Sequence, residues 1–252
     1  MIGRRASKMP VVYRKSLLRQ KRLLGEAVKK YVKDRKVRAV FVGGSLARGT
    51  ANKFSDVDLV LVTKKPRAYV RYHHKGIHLE VDSLTLPELK QRLQNRPIDY
   101  YSFRDIKALH DPEVLLLRIQ RVLKNFVRQY KAPMLAKADL YIQLFHYQAK
   151  FRSAALLGKP ALGNILSLEA APRCFEALAL INNVIPPPLK GFREVAKKFR
   201  IKPAGLDRMI GKVVSGSAKE RVAACSSLIN FLLPKLESAI KKFTKFYRPW
   251  TN

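Results

Sequence analysis

Asp56 and Asp58 stand one residue apart in the run DVDLVLVT, residues 56–63. The run first alternates acidic with apolar residues and then turns wholly apolar, the pattern of a strand entering a buried sheet. Residues i and i+2 of a strand point to the same side, so the two carboxylates are brought close together. Like charges that near would keep one carboxyl protonated unless a cation neutralised the pair. Oxygen donors in an open site suit Mg²⁺, which keeps waters and takes part of its shell from substrate phosphates. Two such ions about 4 Å apart clamp an in-line displacement at phosphorus. A third carboxylate on a neighbouring strand would complete the donor set. GIHLEVDSL, residues 76–84, puts His78, Glu80 and Asp82 on one face and Ile77, Leu79 and Val81 on the other. Both Glu80 and Asp82 meet that requirement, and the pattern does not choose between them.

A phosphate would need a seat beside those carboxylates. VRAVFV, residues 37–42, is a short β-branched strand that ends at Gly43-Gly44-Ser45. Glycines let the backbone approach a phosphate closely, and Ser45 opens a helical turn whose N–H groups can point at one. Arg48 and Lys53 lie in the following stretch as candidate phosphate contacts, against the plainer reading of solvated loop charges. His73, His74 and His78 do not read as a metal site, since adjacent residues of an extended segment point apart. Asp111 before Pro112 reads as a turn.

The elements that must hold these residues follow from periodicity. Leu17, Leu24, Val28 and Tyr31 give residues 14–33 an apolar helical face, with Lys15, Arg19, Arg22, Lys29 and Lys33 on another. Strands are expected at 37–42, 56–63 and 76–84, with a polar linker containing Pro66 between the second and third. PELKQRL starts a helix with proline in its first turn. KALH is a short strand, followed by a break at Asp111-Pro112 and a long helix. From about residue 133 every segment reads as helix, the last kinked at Pro234. The expected architecture is α/β (α+β): a small mixed-sheet domain over 1–132, its basic N-terminal helix included, then an all-α bundle over 133–252.

The order Val42-Gly43-Gly44-Ser45, a gap of ten, then Asp56-Val57-Asp58-Leu59 resembles the "hGGS…DhDh" signature of the nucleotidyltransferase (DNA polymerase β-like) superfamily. The α/β region resembles the small prokaryotic and archaeal members. A helical bundle after it is similar to the arrangement in aminoglycoside nucleotidyltransferases. The motif-bearing part covers residues 37–85. The resemblance implies that Asp56 and Asp58 hold two Mg²⁺ ions while Gly44 and Ser45 grip the NTP substrate. It also implies that Glu80 or Asp82 binds the catalytic metal and draws the proton from the attacking hydroxyl.

Charge bears on the acceptor. Fifty-one Lys and Arg stand against 18 Asp and Glu over 252 residues, a formal net charge of +33. A polyanion is the expected partner, RNA or the ribosome above others. The excess gathers at the ends: residues 1–38 hold 14 basic and 2 acidic groups, and residues 190–252 hold 15 and 4. Arg4, Arg5, Lys15, Arg19, Arg22, Lys29 and Lys33 at one end, and Lys241, Lys242 and Lys245 at the other, are the expected nucleic-acid contacts. Aminoglycosides are polycations and favour acidic sites, so the charge argues against that acceptor. The competing expectation is an RNA- or ribosome-binding factor for assembly, hibernation or protection, built on the same scaffold and needing no catalysis. Nucleotidylation of a protein is a weaker third. Cys174 and Cys225 lack metal-ligand spacing and read as buried thiols of a reducing compartment. With no apolar run near the ~20 residues that span a bilayer, a cytoplasmic protein is expected.

Overall fold

The computed structural model describes residues 11–74 and 76–244, with side chains from 17 to 241. The chain divides into two compact units, residues 1–128 and 129–252. No described helix is long and apolar enough to cross a membrane.

The first unit opens with α1 (Val11–Val32), followed by β1 (Val37–Val42) and the short α2 (Gly44–Arg48). Next come β2 (Val57–Thr63), β3 (Val70–His74) and β4 (Ile77–Leu84). Helix α3 (Leu86–Asn95), a 3-10 turn (Pro97–Asp99), α4 (Tyr100–Arg104), β5 (Lys107–His110) and α5 (Leu115–Gln129) complete it. The strands form one sheet in the order β3-β4-β2-β1-β5. The β2–β4 pairing is parallel, and the other three are antiparallel.

Alternation along the strands builds two apolar layers. Val40, Val57, Leu59, Leu61, Leu79 and Val81 face one side, where Leu23 and Ala27 of α1 meet them. Ala39, Phe41, Val60, Val62 and Leu84 face the other and pack with Leu89 and Leu93 of α3 and Leu115, Ile119 and Leu123 of α5. Each of the Val, Leu, Ile and Phe side chains, fully withdrawn from water, contributes about 1.5–3 kcal/mol before the entropy of ordering is subtracted, and the alanines less. Helix α3 starts at a capping box in which Thr85 and Glu88 bond each other's backbone N–H groups.

The segment after β2, expected as a polar linker, contains β3. It is an edge strand whose residues are exposed or half-buried, so it carries no apolar period. Across it His73 lies opposite His78, ring centroids 4.8 Å apart.

The second unit is helical: α6 (Met134–Leu156), α7 (Pro160–Ile181), α8 (Leu189–Ala196), α9 (Leu206–Ser215) and α10 (Ala218–Thr244). Its core joins Leu140, Leu144, Cys174, Phe175, Leu178, Phe192, Cys225 and Leu228. Both cysteines are buried and unbonded to each other. Burial pushes the Cys225 thiol up to about 11 and Cys174 well above its ordinary value.

Candidate active site

The first turn of α2 and the start of β2 are held together by backbone. Gly43 leaves β1 in an extended conformation and donates its N–H to the carbonyl of Asp58 at 2.8 Å. That N–H extends the β1–β2 ladder. A Cβ added at Gly43 would meet the Asp58 side chain no nearer than 3.6 Å, an ordinary contact. Gly44 is different. Its φ of +56° belongs to the left-handed region, and an added Cβ would lie 1.7 Å from Oδ2 of Asp58. The Asp58 carboxylate therefore fills the space that any side chain at 44 would need. Helix α2 begins at Gly44 with no side-chain cap on its first turn and ends at Gly49, also left-handed at φ 72°. Ser45 lies in that uncapped first turn, half-buried.

Register separates the candidate carboxylates. Alternation puts Asp58 on the same side of β2 as Val60 and Val62, the side covered by α3 and α5. In the parallel β2–β4 ladder, Asp58 is paired with Glu80 and Val60 with Asp82. Glu80 is thus the direct neighbour of Asp58, and Asp82 sits one step farther along the sheet.

Their present partners differ as well. Glu80 bonds Arg71 of the edge strand, Nη2 to Oε1 at 2.6 Å, and the Arg71 side chain is 62% exposed. Asp82 bonds Arg92 of α3, Nη1 to Oδ1 at 2.8 Å, and Arg92 also bonds the buried Asp99 through Nε at 2.6 Å. Asp82 belongs to a three-residue bridge that fastens β4, α3 and the 3-10 turn together, whereas Glu80 is held at the rim by Arg71 and by a hydrogen bond from Tyr69.

Asp56, Asp58 and Glu80 offer carboxylate oxygens alone, a donor set for a hard divalent cation. Among the described residues, no group of three or more His, Cys, Asp or Glu stands close enough to hold a metal ion.

The loop from Gly49 to Asp56 folds on itself. Asn52 receives on Oδ1 the N–H of Phe54 at 2.9 Å, and Ser55 Oγ receives the N–H of Asn52 at 2.9 Å. Lys53 sits over the Phe54 ring at 4.6 Å. Arg48 faces Asp105 at 3.7 Å. Hydrogen bonding from Arg104, with the charge of Arg48 added, holds the Asp105 carboxyl below its ordinary value.

Of the basic residues expected to touch nucleic acid, Arg19, Arg22 and Lys29 are exposed along α1, and Lys33 is exposed just after its end. Arg19 and Arg22 line a cavity of about 340 Å³ together with Leu23, Glu26, His74 and Ile77. Arg22 also pairs with Glu26 at 3.1 Å, and Lys241 with Glu237 at 2.6 Å. Arg4, Arg5 and Lys245, and the side chains of Lys15 and Lys242, lie outside the described residues.

One residue at the site has no counterpart in the motif reading. Gln20, on α1, is fully buried beneath the 52–55 loop. Its signal in the sequence is a polar residue in the core-facing row 20, 23, 27 of an otherwise amphipathic helix.

Residues 25–127 match the family model for the nucleotidyltransferase domain. An aminoglycoside nucleotidyltransferase (4') of Bacillus sp is 22% identical over 203 residues, which cover 77% of this chain and 79% of that protein. Among solved structures, a nucleotidyltransferase-like protein from Exiguobacterium sibiricum matches with a TM-score of 0.48 and 13% identity, over 89% of this chain and 79% of its own.

Proposed function

We propose RNA as the acceptor for this chain, which belongs through residues 25–127 to the nucleotidyltransferase superfamily and transfers a nucleoside monophosphate. The attacking group is a hydroxyl. Its oxygen bonds to the α-phosphorus of an NTP, the bond between that phosphorus and the β-bridging oxygen breaks, and pyrophosphate leaves. Asp56 and Asp58 hold Mg²⁺, which neutralises the triphosphate and stabilises the charge gathered on the oxygens around phosphorus when bound. The uncapped first turn of α2 directs backbone N–H groups of Gly44 and Ser45 toward the phosphates. Glu80, beside Asp58 in the register, takes the proton of the attacking hydroxyl once it has let go of Arg71. An exposed pair of that kind holds weakly, by less than about 1 kcal/mol. Asp82 keeps the scaffold under Glu80 in place through Arg92.

The observation that carries RNA is the charge: 51 basic against 18 acidic residues, with exposed Arg19 and Arg22 on α1. A second reading takes an aminoglycoside hydroxyl as acceptor, and the name of the Bacillus relative favours it. A third keeps RNA or ribosome binding without catalysis. Incorporation of labelled NTP into total RNA, into ribosomes and into an aminoglycoside, by wild type and by Asp56→Ala/Asp58→Ala, separates them. RNA labelling that needs both aspartates is the expected result. Labelling of the aminoglycoside alone would replace RNA with that acceptor. Ribosome co-sedimentation without labelling in any arm would favour the binding factor.

RNA affinity should also fall with salt, with a log–log slope of about −0.7 per phosphate neutralised on single strands. Reversing Arg19, Arg22 and Lys29 to Glu should flatten that slope by about 2–3 units and weaken all sequences alike.

A further inference from the structure

Gln20 is 0% exposed on a helix row otherwise given to Leu23 and Ala27. Its side-chain nitrogen donates to two backbone carbonyls of the loop before β2, Asn52 at 2.8 Å and Ser55 at 2.6 Å. Its oxygen, Oε1, is buried without a hydrogen-bond partner. A buried acceptor left unpaired costs about 1–3 kcal/mol. A methionine would fill the same space between helix and loop without that cost. An amide at this position is therefore explained by what its nitrogen does.

That nitrogen fastens the loop at both ends of its turn. The carbonyl of Asn52 also accepts the N–H of Ser55 at 3.1 Å, so the turn and the clamp share an atom. The next residue is Asp56. We infer that Gln20 is a positioning residue for the metal-binding carboxylates: it ties α1 to the 52–55 turn and so fixes where Asp56 leaves the loop and enters β2. The inference rests on the reading of Asp56 and Asp58 as metal ligands. Residues that orient ligands without touching the metal typically change its affinity by about 10- to 100-fold when lost.

The test is Mn²⁺ binding, with a non-hydrolysable NTP present, followed by electron paramagnetic resonance on wild type, Gln20→Met and Gln20→Glu. Methionine keeps the volume and removes both donors. Glutamate keeps the shape and sets oxygens against both carbonyls. Both variants should bind Mn²⁺ about 10-fold more weakly, and transfer lost at low Mg²⁺ should return as Mg²⁺ is raised, an effect on the apparent KM for metal and not on kcat. Thermal melts accompany each variant, and if one fails to fold the other decides. Mn²⁺ affinity in a folded variant equal to wild type would overturn the role of Gln20. Absence of binding in the wild type would instead remove the metal reading itself, and the inference with it.

Discussion

Replacement of Gly44 by alanine tests the contact on which the site geometry turns. Two costs arise, and they can be separated. The first is backbone strain: an L-residue at φ +56° is disfavoured by roughly 1–2 kcal/mol. The second is collision. The new Cβ would lie 1.7 Å from Asp58 Oδ2 and 2.8 Å from Cγ, where ordinary contact begins at 3.4 Å. The carboxylate oxygen must retreat by about 1.7 Å, the difference between the two distances. A misplacement of about 1 Å can cost on the order of 100-fold in rate, and a metal ligand moved that far no longer meets its ion. Gly49→Ala is the matched control, because Gly49 has φ +72° but nothing within 4 Å of an added Cβ. Both variants should lose about 1–2 kcal/mol of stability in urea unfolding. Only Gly44→Ala should weaken Mg²⁺–NTP binding by about 10- to 100-fold in calorimetry. Equal NTP affinity in the two variants would show that Asp58 is not the group that makes Gly44 necessary.

Glu80→Gln should lower transfer by at least about 100-fold while costing under about 1 kcal/mol of stability. Asp82→Asn should do the reverse, changing transfer little and destabilising by about 1–2 kcal/mol as Arg92 loses a charged partner; steady-state rates and urea melts on both decide, and the opposite pattern would place the third carboxylate at 82. Because its folded carboxyl is held low by Arg104 and Arg48, Asp105 adds stability above its unfolded value of 3.8 and loses it as pH falls through that value and below. The stability gap between wild type and Asp105→Asn should accordingly be full above the unfolded value, narrow as pH falls through 3.8, and vanish only below the lower folded value in denaturant titrations. Cys174 and Cys225 should resist a thiol reagent at pH 8 in the native protein and react at once in denaturant, since burial raises both thiols.

What the sequence revealed depended on how each element meets water. Strands β1, β2 and β4 were legible because each is buried by alternate residues on two different layers. The edge strand β3 was not, because an edge that carries Arg71 and exposed His73 has the composition of a loop. Asp56, Asp58, Gly43, Gly44 and Ser45 could be picked out by type and spacing, but not the unequal demands on the two glycines, which arise from φ and from the place of the Asp58 side chain. Glu80 and Asp82 share a face, and a face does not reveal register; only the pairing of Asp58 with Glu80 tells them apart. Gln20 was invisible to motif reasoning because its partners, Asn52 and Ser55, lie 32 and 35 residues away and offer only backbone.

The apolar clusters are also segregated along the chain. Among the described residues, two of them lie wholly between residues 23 and 123, and the third lies wholly between 132 and 236. During synthesis the sheet must wait for β5, which flanks the central β1, and for α5, which supplies Leu115, Ile119 and Leu123 to its second layer. Among the described residues, the buried members of its two apolar layers all lie at or before residue 123. Once α5 has left the ribosome, the nascent chain holds all five described strands and every carboxylate of the candidate site, so we expect it to begin folding while the remaining helices are still being made. A ribosome stalled within those helices is therefore expected to present an assembled sheet, and protease resistance of the stalled chain would check it.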